Sequence, residues 1–187
     1  MTSSRPERIE KARALLCSGI PGPGGIWADA GCGDGIFTIA LYTLIRPGGE
    51  IYAIDRNRQA LKTLARNFNF ADALLHPVLA DFTRPLALPP LDGLVMANSL
   101  HFVRKKTPVL ARLASLLKPG GRLIIVEYNA SRGNFAVPHP LDEGGFLALA
   151  REASLQEAQI QAKIPSTFLG EMYAGIAFRA DAFNSGF

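Results

Sequence analysis

The stretch Trp27-Ala28-Asp29-Ala30-Gly31-Cys32-Gly33-Asp34-Gly35, continued by Ile36-Phe37-Thr38-Ile39-Ala40-Leu41, decides how this chain is read. It reads as a buried strand that runs into a tight glycine turn and then opens a helix. Gly31, Gly33 and Gly35 permit backbone conformations closed to other residues, so a ligand can approach the main chain closely. The helix behind the turn directs unpaired N–H groups and a positive dipole end at that ligand. Dinucleotide loops carry G-x-G-x-x-G, whose third glycine serves helix–strand packing near a pyrophosphate. Here the spacing is G-x-G-x-G, and a bulky Ile36 follows. Asp29, just ahead of the first glycine, would repel a pyrophosphate and suit an amine.

Outward from the loop, the chain alternates. Ile9, Ala12, Leu15 and Leu16 recur at helical spacing in residues 6–17 and predict an amphipathic lead-in helix. Apolar runs of strand length follow at 26–28, 51–54, 77–80, 91–96 and 122–126, with helical periodicity over 36–45, 58–68 and 108–117. Strict alternation implies right-handed crossovers and a parallel sheet with helices on both faces. Arg46-Pro47-Gly48-Gly49 and Lys118-Pro119-Gly120-Gly121 place helix terminators just past two of these helices. The last third differs: a helix over 141–153 precedes strands at 157–164 and 172–178. Those two strands lie too close in sequence for a parallel crossover, so they are expected to pair antiparallel.

Composition narrows the class. A chain of 187 residues suits one domain with one substantial core. No apolar run approaches the ~20 residues that cross a bilayer. Met1 to Arg8 lacks an apolar signal core, which predicts a cytoplasmic protein. Cys17 and Cys32 stand far apart with no CxxC, and His76, His101 and His139 show no metal-ligand spacing. That argues against a disulfide framework and against a metal. Net charge is +4, carried mostly by scattered arginines. Arg104-Lys105-Lys106 is the densest basic patch, and it reads as a solvated helix start. A nucleic-acid surface needs a longer basic stripe with interleaved aromatics.

The glycine loop with Asp29 ahead of it resembles the first motif of class I S-adenosylmethionine (SAM) dependent methyltransferases, of the small single-domain type 11/25-like kind. A parallel sheet that ends in one reversed hairpin strand resembles the same fold. The fold expected is therefore α/β: a doubly wound, Rossmann-like, seven-stranded sheet in three α/β/α layers, mostly parallel, with one antiparallel strand in a C-terminal hairpin. A single domain over 1–187 is expected: an N-terminal helix in 1–22, a cofactor-binding core in 23–130, and a substrate-side lid and hairpin in 131–187. The resemblance implies SAM as cofactor, with Asp29, Gly31, Cys32, Gly33 and Gly35 around its methionine end. Asp55, beside Arg56, falls where an acidic residue accepts ribose hydroxyls in doubly wound folds. Asp81-Phe82 is similar to the family position for the adenine amino group and ring. Asn98-Ser99-Leu100-His101-Phe102 resembles the segment that closes over the methionine end, and residues 116–123 resemble the turn into the fifth strand. Plainer roles stand beside these. Asp55 fits a helix cap near Asn57, Asp81 fits a turn at Thr83-Arg84-Pro85, and Phe82 and Phe102 fit a core. Cys32 fits a crowded loop as a small side chain rather than as a nucleophile.

The chemistry expected is methyl transfer by in-line displacement. Because the leaving group on SAM is already activated, alignment and water exclusion are the main tasks. A general base is needed only for an acceptor protonated at neutral pH. Asn98, His101, Glu127, Tyr128, Asn129, His139, Glu171 and Tyr173 are the residues expected near the acceptor. His101, Glu127 and Tyr173 are the catalytic candidates among them. His101 suits a base by its pKa range and equally suits a packed ring. Glu127, at the end of an apolar strand, must be either hydrogen-bonded or functional. Residues 134–140 and the loop 165–173 are candidates for a partly apolar lid, which favours a small, partly hydrophobic acceptor. Two other readings stay open: an RNA-modifying methyltransferase, and a protein that binds SAM without catalysis.

Overall fold

The computed structural model describes residues 4–67 and 71–180. The N-terminal helix α1 (Arg5–Leu16) leads into β1 (Ile26–Ala30), α2 (Ile36–Ile45), β2 (Glu50–Asp55), α3 (Arg58–Asn67) and β3 (Leu74–Leu79). Then come β4 (Leu91–Ala97), a 3-10 turn (Leu100–Phe102), α4 (Lys106–Ala114) and β5 (Leu117–Tyr128). Next follow α5 (Glu143–Glu152), β6 (Leu155–Ser166) and β7 (Gly170–Arg179). The seven strands form one sheet in the order β3-β2-β1-β4-β5-β7-β6. Strands β1 to β5 pair parallel, and β7 runs antiparallel to both β5 and β6. The expected α/β class and the single reversed strand are both present.

Alternation along the strands builds the layers. Trp27, Ile51, Val95 and Ile124 point to one face and pack with Leu15, Leu41 and Ile45 of α1 and α2. Ala53 joins the same face beneath Leu61 and Leu64 of α3. Ala28, Leu94, Leu123 and Ile125 point to the other face and pack with Leu110, Phe146 and Leu149 of α4 and α5. Size complementarity sets the register where it is tightest. Trp27 pairs with Gly93 across β1 and β4, and a Cβ at Gly93 would lie 2.1 Å from the indole ring. Fully burying such a side chain is worth ~1.5–3 kcal/mol, so the glycine is a core requirement here.

Several boundaries differ from the sequence expectation. Strand β3 starts earlier than residue 77, and Pro77 sits inside it. An edge strand tolerates a residue without an N–H, and β3 is the edge. Helix α4 ends at Ala114, short of residue 117, and Leu117 already belongs to β5. The β4–β5 register jumps from Leu91↔Leu117 to Gly93↔Arg122, so residues 118–121 bulge out of the ladder instead of simply ending a helix. The last helix starts at Glu143, where Asp142 accepts the Gly145 N–H at 2.8 Å. Phe68, the expected end of α3, lies outside the described residues. Among the described residues no helix is long and apolar enough to cross a membrane. No group of three or more His, Cys, Asp or Glu side chains among them could hold a metal.

Candidate functional site

The three loop glycines serve three different purposes. All take positive φ: +85° at Gly31, +53° at Gly33 and +89° at Gly35. A Cβ at Gly31 would lie 2.5 Å from Ser99 Cβ, and one at Gly35 would lie 2.3 Å from Leu64 Cδ1. At Gly33 nothing stands within 4 Å. Packing therefore demands the outer two glycines, and Gly33 alone faces open space. The Gly33 N–H donates to Asp55 Oδ2 at 2.8 Å, and Asp55 Oδ1 accepts the Asn57 N–H at 2.8 Å. The cap of α3 is Asn57 itself, whose side-chain oxygen accepts from Gln59 and Ala60. Asp55 thus ties the glycine loop to the end of β2. On the other side, Arg5 of α1 donates to the Asp34 carbonyl at 2.8 Å and clamps the loop from outside.

Two cavities meet at this loop, beyond the carboxyl ends of the parallel strands. The larger, about 560 Å³, is lined by Asp55, Arg56, Asp81, Phe82, Ser99 and Phe102. The smaller, about 340 Å³, lies between α1, the loop, Tyr128 and the β6–β7 hairpin. Gly31, Gly33 and Asn98 border both. Asn98 adopts φ +51°, and its Oδ1 is buried with no hydrogen-bond partner among the described residues. Ser99 Oγ donates to the Ala30 carbonyl at 2.8 Å and fastens the segment after β4 to β1. Asp81 Oδ1 accepts both the N–H and the hydroxyl of Thr83, and these bonds hold its carboxyl below the usual range. Asp81 therefore both begins the turn and borders the cavity. Phe102 is 60% exposed, so the core role open to it does not hold. Cys32 is buried, and burial pushes its thiol far up, which leaves it unreactive.

Other expected site residues lie off the cavities. Asp29 is 1% exposed and borders neither cavity. Its Oδ2 accepts the Thr38 hydroxyl at 2.7 Å, while its Oδ1 has no partner among the described residues. Burial, reinforced by the charge of Asp55 and opposed by the Thr38 bond, pushes its carboxyl up to about 7. His101 and Glu127 are 3% and 0% exposed, and they hold each other at 2.6 Å between Nδ1 and Oε2. Glu127 Oε1 also accepts the N–H groups of Leu100 and His101 at 3.0 and 3.1 Å. Tyr173 is fully buried, and its hydroxyl donates to the Leu141 carbonyl at 2.9 Å. None of these three catalytic candidates lines either cavity. Glu127 and Tyr173 are buried and hydrogen-bonded, and Tyr173 packs against Phe146 of α5.

Of the residues expected near an acceptor, Asn98 and Tyr128 do line the cavities. Asn129 instead donates to Glu143 and Glu171 at the outer hairpin, beside Lys163. The His139 N–H donates to the His101 carbonyl, and residues 134–140 line neither of the two cavities. Of the loop 165–173, Pro165, Ser166, Thr167 and Met172 border the smaller cavity. In the basic triplet, Lys106 opens α4 and its ammonium donates to the carbonyls of Val103 and His139. Sequence reading missed Arg8 and Lys11, which line the smaller cavity from α1. Their signal was available. Positions 8, 11, 12 and 15 form one helical stripe, and its basic half was passed over for its apolar half.

Residues 28–123 match the family model of the methyltransferase domain. Over 123 residues the chain is 31% identical to a probable cobalt-precorrin-6B C(15)-methyltransferase (decarboxylating) of Methanothermobacter thermautotrophicus, covering 64% of this chain and 61% of that protein. Over 131 residues it is 28% identical to the ubiquinone/menaquinone biosynthesis C-methyltransferase UbiE of Pasteurella multocida, covering 65% and 46%. The chain thus spans about half the length of the curated relatives it matches. Among solved structures it is similar to the Burkholderia thailandensis 1,6-didemethyltoxoflavin-N1-methyltransferase, with a TM-score of 0.73 and 22% identity over 93% of this chain and 79% of that one. A SAM dependent methyltransferase from Aquifex aeolicus shares the fold at a TM-score of 0.65 and 20% identity, covering 92% and 88%.

Proposed function

The chain belongs to the methyltransferase-domain family, and from that premise we propose that it transfers a methyl group from SAM to a small-molecule acceptor. One observation carries this reading: two cavities join at Gly31, Gly33 and Asn98, where Gly33 opens space and Asn98 Oδ1 is buried unpartnered. A buried polar atom without a partner costs free energy, so a ligand donor at that point fits the frame. In this reading the domain is single, with its cofactor core in 23–130.

The residues divide the work. Asp55 binds the ribose hydroxyls with the lone pairs left after its bonds to Gly33 and Asn57. Asp81 and Phe82 take the adenine amino group and ring, beside Arg56. The loop N–H groups and Asn98 hold the methionine end at the junction. Bound SAM would supply a methyl group activated on sulfonium sulfur, with a neutral thioether as the leaving group for in-line displacement by the acceptor. Tyr128 and the hairpin wall orient the acceptor in the smaller cavity and keep water out. His101 and Glu127 position the segment after β4 and touch neither ligand. The scarce, well-separated cysteines support a reducing cytoplasm as its compartment.

The test is direct. S-adenosylhomocysteine or SAM at ~100 times its dissociation constant should add ~2.7 kcal/mol to folded-state stability in a thermal shift, and NAD should add none. Transfer of radiolabelled methyl from SAM to a member of a small-molecule library should follow. Stabilisation by NAD alone would sink the cofactor assignment. Binding of SAM without turnover of any acceptor would favour a sensor. Salt-sensitive methylation of polynucleotide in place of small molecules would favour an RNA-modifying enzyme.

A further inference from the structure

We propose that the smaller cavity takes an acceptor that carries a carboxylate on an apolar body, with Lys11 and Arg8 of α1 holding the carboxylate. This rests on the methyltransferase reading above and names the chemical class of its acceptor.

The argument starts from α1. Arg8, Lys11, Ala12 and Leu15 share one stripe of the helix. Ala12 and Leu15 are buried against the body, so the stripe is anchored and its two cations are brought to the cavity wall. Lys11 makes no hydrogen bond or ion pair among the described residues. Arg8 approaches one acid, Asp34, at a loose 3.9 Å. Asp34 is already held by Arg5, which lies at 3.5 Å from the same carboxylate oxygen and donates to the Asp34 carbonyl. Among the described residues, Asp34 is also the one acidic side chain bordering this cavity. Two cations therefore face the space against a single acid that a third cation already engages.

The remaining lining sets the rest of the ligand. On the hairpin side, Tyr128, Ile164, Pro165 and Met172 present apolar surface beside the hydroxyls of Ser166 and Thr167. Asp55 and Asp81 line the other cavity, which separates this cationic wall from the nucleoside end. A cationic acceptor would meet two like charges here, and a neutral one would leave both unused. A carboxylate answers both, with guanidinium and ammonium as charge-assisted donors.

The same chemistry has a second source, because SAM itself carries a carboxylate, and the experiment separates the two. Wild-type protein saturated with S-adenosylhomocysteine is titrated with matched acid and amide pairs: indole-3-acetate and indole-3-acetamide, 4-hydroxybenzoate and 4-hydroxybenzamide, hexanoate and hexanamide. Acids should bind about tenfold or more tighter than their amides, the scale of a hydrogen bond to a charged group. Lys11→Met and Arg8→Met should each erase most of that preference, with S-adenosylhomocysteine affinity held within about twofold, and Lys11→Arg should retain it. If no acid outbinds its amide, the proposal is overturned while the methyltransferase reading stands. If the two variants weaken S-adenosylhomocysteine binding instead, the cations serve the cofactor's own carboxylate, and the proposal is equally overturned. Failure of the wild type to bind S-adenosylhomocysteine at all would remove the premise as well.

Discussion

Glu127 on β5 and His101 in the turn after β4, 26 residues apart in sequence, form a closed buried pair at 2.6 Å. The same carboxylate takes the N–H groups of Leu100 and His101 through its second oxygen. One side chain thereby fixes the path of the backbone that presents Asn98 and Ser99 to the loop. A strand-end carboxylate that looks catalytic in isolation is a brace in the fold.

Replacement of that brace should be costly. Hydrogen bonds to a charged group are worth ~1.5–3 kcal/mol, so Glu127→Gln should lower stability by at least that amount in urea denaturation. Affinity for S-adenosylhomocysteine should fall with it, because the segment 98–103 loses its anchor. His101→Asn should cost turnover much less than the ~100–10,000-fold a general base contributes. A loss of that size, with cofactor affinity intact and the acidic limb of the pH–rate profile gone, would make His101 the base.

Asp29 gives a pH signature. Its carboxyl titrates at 3.8 when unperturbed and at about 7 in the fold, because burial disfavours its charge. Between those values the native state holds a proton that the unfolded state has released. The stabilisation tied to that proton is therefore complete below about pH 4 and is lost as pH rises through about 7. Each pKa unit corresponds to about 1.4 kcal/mol, so the term is on the order of a few kcal/mol. Asp29→Asn should melt higher than wild type at about pH 8 and show a flatter melting temperature between about pH 4 and 8. An unchanged slope in the variant would show that Asp29 does not carry it.

The glycines should separate folding from binding. Gly35→Ala places a Cβ against Leu64 at positive φ and should destabilise the protein by ~1–3 kcal/mol. Gly33→Ala meets no neighbour and should cost ~1–2 kcal/mol for the left-handed backbone alone. Its larger effect should be on S-adenosylhomocysteine affinity, read by calorimetry. Equal loss of binding and stability in both variants would contradict this division.

Asp55→Ala should weaken SAM binding by roughly tenfold to a hundredfold, the equivalent of ~1.5–3 kcal/mol. The variant should remain folded, since α3 keeps its own Asn57 cap. Unchanged affinity in a folded variant would leave Asp55 with its loop-tethering role alone.

Much of the architecture was legible because the signals are local. Helix α2 spans the expected residues 36–45, since its periodicity and its flanking Gly35 and Arg46-Pro47 all act within a turn or two. The glycine loop, Asp55, Asp81 and Asn98 were found at strand ends, where a doubly wound sheet presents its ligands. The reversed β7 followed from the shortness of its connection to β6. Element edges were less legible: Pro77 inside β3 and the bulge at residues 118–121 are tolerated by position in the sheet, which no local window records.

By itself the sequence determined the order of elements, the loop and its open glycine chemistry, because periodicity and backbone permissiveness belong to neighbouring residues. Only the tertiary structure decided which polar residues reach a cavity. It brought Glu127 to His101, Thr38 to Asp29 and Leu141 to Tyr173, and so placed these acids and this hydroxyl away from both cavities. It turned Arg8 and Lys11, ordinary surface residues of an amphipathic helix, into one wall of the smaller cavity. The physical reason is range: burial and partnership are set by side chains that meet across the sheet from distant points in the chain.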